Sequence, residues 1–406
     1  MKDFLKKWLS ISFFNLLLVA ALGFILRYKI AFYLPFSDQK FILHSHSHFA
    51  FTGWISQTLM ILMIWYLSRK LGEQIIKRYR TVLYVNLIAA YGMLISFILQ
   101  GYAFYSISFS TLSILVSYQF IRLYWSDLNR IKEKEVSHLW FKAALIFSLI
   151  SSFGTFGLAY MMSARLIDQN LYLACVYLFL HFQYNGWFMF SGLGLLSGKL
   201  EKLIGELKNQ KIIFILFCVA CVPGYFLSVL WAPFISKIYL ILVIAVLAQL
   251  VGWLMLLKII IRHKEVLSTQ LNKLGKTLLI LSAIAFSIKI ILQTGSLHPV
   301  LSHISYGFRP IIIGYLHLVL LGVTSIFILG YIISFKLIPI NKLLIRGIFV
   351  FVAGVIINEL FLMIQGIEAL NYTGIPHINE MLLGAAFILL SGIFMMFISR
   401  FYASEE

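Results

Sequence analysis

The chain has 406 residues, of which 61% are hydrophobic and 12% are charged, and its formal net charge is +18. A soluble domain has about a quarter charged residues, so this composition excludes a soluble fold and predicts an integral membrane protein. The basic residues lie in short clusters between apolar runs. That distribution excludes nucleic acid as the partner and indicates the lipid bilayer.

Twelve apolar runs are long enough to cross a bilayer core, which takes about 20 residues in a helix. They are residues 8–28, 44–67, 80–100, 104–125, 140–162, 171–197, 211–231, 236–261, 274–293, 308–334, 344–365 and 379–401. Because lipid leaves an open strand edge without hydrogen-bond partners, helix is the predicted state of every run. The predicted fold class is an all-α polytopic membrane helical bundle, with one transmembrane domain over residues 1–406.

The basic residues favour one set of connections. The N-terminus and the even-numbered connections carry Lys2, Lys6, Lys7, Arg69, Lys70, Lys77, Arg78, Arg80, Arg130, Lys132, Lys134, Lys199, Lys202, Lys208, Lys211, Arg262, Lys264, Lys273, Lys276, Lys336 and Lys342. The odd-numbered connections carry only Arg27, Lys29, Lys40, Arg165, Lys237 and Arg309. The positive-inside rule therefore predicts that both termini are cytoplasmic, and we expect a bacterial inner membrane.

A short motif occurs three times in the chain. It reads His48-Phe-Ala-Phe-Thr-Gly53-Trp54, then His181-Phe-Gln-Tyr-Asn-Gly186-Trp187, and more faintly His317-Leu-Val-Leu-Leu-Gly322-Val323. The three histidines are 133 and 136 residues apart, and they are the only histidines in the chain with Gly five residues later. A nearly constant interval indicates internal duplication. We expect three pseudo-repeats of four helices, at about residues 1–135, 136–268 and 269–406.

The motif histidines lie on predicted spans two, six and ten, which all enter the membrane from the outer face. At about 1.5 Å per residue, each imidazole lies about 10–20 Å inside its helix. Ionisable groups within lipid are expensive and usually functional, and neutral imidazole is the commonest metal ligand. The structural alternative is that these histidines hydrogen-bond across helices. The following glycines suit a flat macrocycle or a close helix crossing equally well.

Several neighbours could support these histidines. Tyr184 and Asn185 follow His181 by three and four residues and share its helix face, so they could orient its ring. His44 and His48 are four residues apart and also share a face, which leaves His44 as an alternative ligand. His46 points elsewhere, either to the exterior or toward a metal.

Together these features resemble the catalytic subunit of haem-copper oxidases and nitric oxide reductases, including the related NnrS-type membrane proteins. The resemblance rests on twelve spans with cytoplasmic termini, three four-helix repeats, and histidines on spans two, six and ten. It implies that His48 and His317 hold a low-spin haem and that His181 is a copper ligand. Span seven has no paired histidines, which implies an incomplete copper centre. Tyr315 replaces the histidine expected two residues before His317, which implies that the axial ligand of a second haem is missing.

From this resemblance we expect a haem-binding redox protein that performs electron transfer or chemistry on O2 or NO. Its haem would be b-type, with copper or non-haem iron as a second metal. A quinol or a cytochrome would donate electrons, and other membrane subunits would be partners. The alternatives are a twelve-span secondary transporter and a non-catalytic relative that serves in assembly or sensing.

Lys289 in span nine and Glu359 in span eleven are charges well inside apolar runs. Intramembrane charges tend to face the bundle interior and to pair. The two residues could form a proton path. Alternatively, they form a structural ion pair with each other or extend to the membrane surface.

The topology can be tested with reporter fusions. Reporters fused after Lys70, Lys134 or Lys208 should be cytoplasmic, and a reporter inserted near Asp38 should be external, because basic connections are retained inside. Enzyme reporters that are active on only one side of the membrane measure this. An external reporter after any of the three basic connections would overturn the outer-face entry of the motif helices.

Overall fold

The protein is described by a computed structural model, which covers residues 2–36, 38–205, 208–298, 301, 308–371 and 373–402. The described residues are 86% helical and contain no strand. Twelve long helices follow one another along the chain: α1 Lys2–Ala31, α2 Gln39–Leu71, α3 Ile75–Gln100, α4 Phe104–Asn129, α5 Val136–Ser163, α6 residues 169–204, α7 Gln210–Val229, α8 Ile235–Arg262, α9 Lys273–Gly295, α10 Arg309–Ser334, α11 Lys342–Asn371 and α12 Ile378–Ile398. A short helix, Lys264–Gln270, connects α8 to α9. The predicted helical membrane bundle is confirmed.

Eleven of the described helices are long and apolar enough to span a membrane, and α6 is the long helix outside that set. The polar residues of its motif, His181, Gln183 and Asn185 among them, lower its mean hydropathy. The helix nevertheless runs without a break from residue 169 to residue 204. It is long enough to cross a bilayer core at about 1.5 Å per residue.

The three motif helices begin with recognisable start signals. Asp38 precedes α2 and accepts a hydrogen bond from the backbone N–H of Lys40 (2.6 Å). Asp168 precedes α6 and accepts from the N–H of Leu171 (2.9 Å). These caps satisfy N–H groups that have no partner within the helix. Helix α10 begins with Arg309 followed by Pro310, whose ring is compatible with the first turn.

Each motif helix contains one π-helical segment, which begins one or two residues after the motif histidine. The segments are Ala50–Ser56, Phe182–Phe188 and Leu318–Ser325. Each contains the motif glycine, at position 53, 186 or 322. π-Helical turns are rare and occur often at functional sites, because the widened turn shifts backbone hydrogen bonds to a partner five residues away. The motif that recurs in the sequence therefore marks a feature that recurs in the backbone.

The chain divides into two compact units. One comprises residues 1–123, 274–281 and 308–406, and it contains motif helices α2 and α10. The other comprises residues 124–273 and 282–307, and it contains motif helix α6. The second unit coincides largely with the middle predicted repeat, and the first contains most of the other two. The prediction of one domain with three repeats stays a prediction.

Glycines allow α11 and α12 to approach closely in the first unit. A Cβ atom at Gly392 would meet the backbone nitrogen of Phe351 and the carbonyl oxygen of Gly347, and one at Gly347 would meet the backbone of Met396 and Gly392. Small residues at such contacts let helix backbones pack in lipid, where no hydrophobic force drives association. Gly384 lies on the same helix with nothing within 4 Å of its potential Cβ.

These two glycines of α12 form a matched pair for mutation. Gly392→Ala should lower the free energy of unfolding by about 1–3 kcal/mol, because the added methyl meets fixed backbone. Gly384→Ala should leave stability unchanged or raise it by up to about 1 kcal/mol, because alanine favours helix over glycine. Thermal unfolding in detergent measures both. Equal effects of the two substitutions would contradict the close approach of α11 and α12.

Candidate functional site

The three histidines of the sequence His44-Ser-His46-Ser-His48 lie on two faces of α2. A helix turns about 100° per residue, so positions four apart share a face and the position between them lies on the opposite side. In the structure, the ring of His46 is turned toward α1, whereas His44 and His48 contact Phe97 of α3 and the connection that follows it. The three histidines of this stretch therefore contact two different sets of neighbours.

The ring of His46 is held by α1. Its Nδ1 lies 3.0 Å from the carbonyl oxygen of Val19, and a carbonyl can only accept, so Nδ1 carries the proton. Gly23 lies one turn further along α1, and a Cβ there would come within 3.2 Å of the imidazole Cε1 atom. Nε2 of His46 has no hydrogen-bond partner among the residues that the structure describes. This is the tautomer of an imidazole whose Nε2 can bind a metal.

His317 on α10 has the same arrangement. Its Nδ1 lies 2.8 Å from the carbonyl oxygen of Ile313, so Nδ1 donates and Nε2 carries the lone pair. His317 lies close enough to His46 for an electrostatic interaction, and both histidines interact in the same way with Arg27 of α1. Helices α2 and α10 therefore carry two half-buried imidazoles of the same tautomer that interact electrostatically.

A hydrogen bond also joins the two motif helices. The indole Nε1 of Trp54 in α2 donates to the hydroxyl of Ser325 in α10 at 3.0 Å, and both side chains are buried. Trp54 follows His46 by eight residues, and Ser325 follows His317 by eight. The bond therefore lies about 12 Å along each helix from its histidine and fixes their relative positions.

Polar side chains donate hydrogen bonds to backbone carbonyls of the π-helical segment in α2. Asn15 of α1 donates its Nδ2 to the carbonyl of Gly53 (2.6 Å) and accepts from the hydroxyl of Tyr91 (2.6 Å). Asn86 of α3 donates to the carbonyl of Thr52 (3.3 Å). Asn15 and Asn86 are both buried. They satisfy groups for which lipid offers no partner.

His44 and His48 surround Tyr102, which lies between α3 and α4. The Nε2 atom of His48 is 2.9 Å from the Tyr102 hydroxyl, and its ring stacks on Phe97 with centroids 4.5 Å apart. The ring of His44 meets that of Tyr102 edge-on at 4.6 Å. His48, which the family resemblance assigns to haem, is therefore engaged on the face opposite His46.

In the second unit, His181 uses both ring nitrogens. Its Nε2 donates to the carbonyl of Cys221 at 2.8 Å, and its Nδ1 accepts from Nδ2 of Asn185 at 3.1 Å. The ring is buried, and Tyr184 lies beside it with centroids 6.4 Å apart. A metal at His181 would have to displace one of these two hydrogen bonds. The geometry favours a structural histidine here and leaves the copper assignment a prediction.

Of Lys289 and Glu359, Lys289 is the more deeply buried. Its Nζ has no hydrogen-bond partner among the described residues, and the ion pair with Glu359 stays a prediction. The ammonium lies 5.2 Å from the ring centroid of Phe286 and interacts electrostatically with His181 and Cys221. The proton path stays a prediction.

Glu359 has neighbours within its own unit. Its Oε1 accepts from Nδ2 of Asn358 at 3.2 Å, and it interacts electrostatically with Arg27. Arg27 also interacts with Arg309 at the start of α10. Tyr315, the remaining sequence-predicted site residue, is half-buried in α10 two residues before His317. Charged residues therefore accompany the histidine pair.

Sequence reasoning missed Arg27, Asn15 and Tyr102. Asn15 carried a signal, because it is a lone amide in an apolar run. Arg27 was counted only as an external basic residue, and Tyr102 lies between the predicted spans 80–100 and 104–125. Within the described ranges, no group of three or more His, Cys, Asp or Glu side chains is arranged to hold a metal.

The environment of Lys289 predicts an unusual effect of its removal. Lys289→Met should raise the free energy of unfolding by about 1–4 kcal/mol, because it replaces a buried cation that has no hydrogen-bond partner with an apolar chain of similar length. Lys273→Met, at the exposed start of the same helix, is the control. Thermal unfolding in detergent measures both. A lower unfolding midpoint for Lys289→Met alone would show that the ammonium is stabilised by a partner.

No protein-family model matches this chain, and no curated protein matches it significantly.

Proposed function

We propose that this chain is a membrane haem-binding redox protein and that His46 and His317 are the axial ligands. The observation that supports this most is that the two imidazoles have the same tautomer and the same kind of hydrogen bond. Each donates Nδ1–H to a backbone carbonyl, at 3.0 and 2.8 Å, and the two rings are close enough to interact electrostatically. Low-spin haem iron takes two such nitrogens, and a second-shell acceptor on Nδ1 is the usual support for a ligating histidine.

The pair differs from the one that the family resemblance implies. His48 would be the span-two ligand by that resemblance, but its Nε2 is engaged with Tyr102 and its ring stacks on Phe97. His46 is two residues away, faces α1, and interacts electrostatically with His317. We therefore assign the span-two ligand to His46.

The chain's own residues would set the properties of the site. The carbonyls of Val19 and Ile313 fix the tautomer and increase the basicity of the two imidazoles. Arg27 adds positive charge beside both rings, which favours the gain of an electron there, and Glu359 offsets part of that charge. The chemistry that haem supplies when bound is one-electron transfer.

The cysteines support a non-covalently bound, b-type haem. Covalent attachment uses C-x-x-C-H, and the only C-x-x-C sequence in the chain, Cys218 to Cys221, is followed by Val222. A quinol or a cytochrome is the electron donor that suits a site within the membrane. We propose a bacterial inner membrane, with both termini in the cytoplasm.

Absorption spectroscopy tests the proposal. The full chain, expressed with ample haem supply and purified in detergent, should show the visible bands of a low-spin, bis-histidine haem when oxidised and when reduced. His46→Ala and His317→Ala should each abolish those bands, because iron would lose one axial nitrogen. His48→Ala is the matched control on the same helix and should leave the bands unchanged. The haem content is measured in parallel by extraction.

Two outcomes would contradict this account in different ways. A colourless wild-type chain would reject haem binding altogether. Loss of the spectrum in His48→Ala with retention in His46→Ala would keep the redox function and restore the ligand pair that the family resemblance implies.

One observation favours the transporter as a second candidate. Lys289 is a buried amine without a hydrogen-bond partner among the described residues, and intramembrane charges often couple ions to transport. A transporter would purify without haem. It would also lose proton-coupled uptake in Lys289→Met while keeping its fold.

A further inference from the structure

We infer that His44, His48 and Tyr102 form a separate binding site for a divalent transition-metal ion, copper(II) above all, near the outer end of α2. The site lies on the opposite face of α2 from His46. It does not rest on the proposed haem function, because none of its three residues belongs to the proposed haem ligands.

The spacing of the two histidines suits chelation. Residues four apart on a helix have Cβ atoms about 6 Å apart, so two imidazoles can reach one ion. His44 and His48 both turn toward Tyr102, and they interact electrostatically with each other. The ring nitrogens of His44 have no hydrogen-bond partner within the described part of the chain. One imidazole is thus open for a metal, and the other is engaged only through a phenol hydroxyl.

Tyr102 is positioned for this role by a rigid turn. Gly101 has φ +62°, a conformation that glycine adopts at little cost, and a Cβ there would collide with the ring of Phe41 on α2. The hydroxyl of Ser106 donates to the Gly101 carbonyl (2.7 Å) and accepts from the N–H of Ala103 (2.8 Å). The turn therefore holds the phenol against α2 before any ion binds.

The distances favour one class of metal. Metals bind imidazole nitrogen and oxygen at about 2.0–2.2 Å, so ligand atoms 2.9 Å apart, as Nε2 of His48 and the Tyr102 hydroxyl are, subtend about 90° at the ion. That angle suits square-planar, tetragonal and octahedral ions and not tetrahedral ones, and copper(II) has the highest affinity of the divalent series for such ligands. His44 interacts electrostatically with both Lys40 and Asp38, so the positive charge of one opposes the negative charge of the other.

The site is open to an ion from outside the protein. The side chain of Tyr102 is 47% exposed, and His44 lies five residues into α2, or about 8 Å from its start. Two protein nitrogens and one oxygen leave a fourth position for water. An exchangeable surface site, suited to acquiring copper or sensing it, follows from this geometry.

Copper titration of the purified full chain tests the inference. Binding of copper(II) is followed by electron paramagnetic resonance and by competition with a chromophoric chelator. His44→Ala and His48→Ala should each weaken binding at least about tenfold, because loss even of a residue that only orients a ligand costs about 10–100-fold in metal affinity. Tyr102→Phe should weaken binding and remove the phenolate-to-copper absorption band. His377→Asn, at an exposed histidine near the start of α12, should change nothing.

A second substitution guards against misfolding. His48→Gln keeps a side chain that can hydrogen-bond to Tyr102 but lacks imidazole, so it should fold and still lose affinity. If the wild-type chain binds copper(II) no more tightly than a His44→Ala/His48→Ala variant, or if Tyr102→Phe leaves affinity and spectrum unchanged, the inference fails. Haem bands persisting in His44→Ala would show that the two proposals stand or fall separately.

Discussion

The structure depends above all on the need to satisfy backbone polar groups where lipid offers no hydrogen-bond partner. Ordinary α-helix meets this need within each span, but the three π-helical segments do not, because a widened turn redirects carbonyls. In α2 the carbonyl oxygens of Thr52 and Gly53 accept hydrogen bonds from the side-chain amides of Asn86 and Asn15. In α10 the hydroxyls of Thr324 and Ser325 donate to carbonyls five residues earlier, at 2.9 and 2.8 Å. The widened turns therefore account for the placement of these four polar side chains.

The same need sets the state of the histidines. His46, His317 and His181 each give one N–H to a backbone carbonyl, which removes the cost of burying that donor. The three histidines differ at the other ring nitrogen. In His181 that nitrogen accepts a hydrogen bond from Asn185, whereas His46 and His317 have no second hydrogen bond in the described part of the chain. His181 on α6 therefore has the hydrogen bonds of a structural histidine, whereas His46 on α2 and His317 on α10 keep Nε2 in a ligand-like state.

Much of the fold follows from the sequence because run length and hydropathy dictate membrane helices. All twelve predicted runs lie in long helices, including α6, whose polar motif lowers its hydropathy. The motif spacing also located the three histidines that precede the π-helical segments. Asn185 follows His181 by four residues, so local helix geometry sufficed to expect their contact.

The remaining features depend on packing between helices, which spacing does not encode. The rotation of α2 against α1 determines which histidine of the His44 to His48 stretch faces α10. The hydrogen bond between His46 and Val19 fixes that rotation. Lys289 and Glu359 are each a charge in an apolar run, and that pattern does not specify the partner of either. Within their own units, Lys289 interacts electrostatically with His181 and Glu359 with Arg27.

The central claim is that His46, and not His48, faces His317, and crosslinking between cysteines tests it most directly. In a variant with the three native cysteines replaced, cysteines are introduced at positions 46 and 317, or at 48 and 317, and the membranes are treated with a short bifunctional thiol reagent. Protease cleavage within the connection 263–273 then separates uncrosslinked halves on a denaturing gel. The account predicts that the 46/317 pair holds the halves together and the 48/317 pair does not. Efficient linkage of 48/317 with none for 46/317 would contradict it.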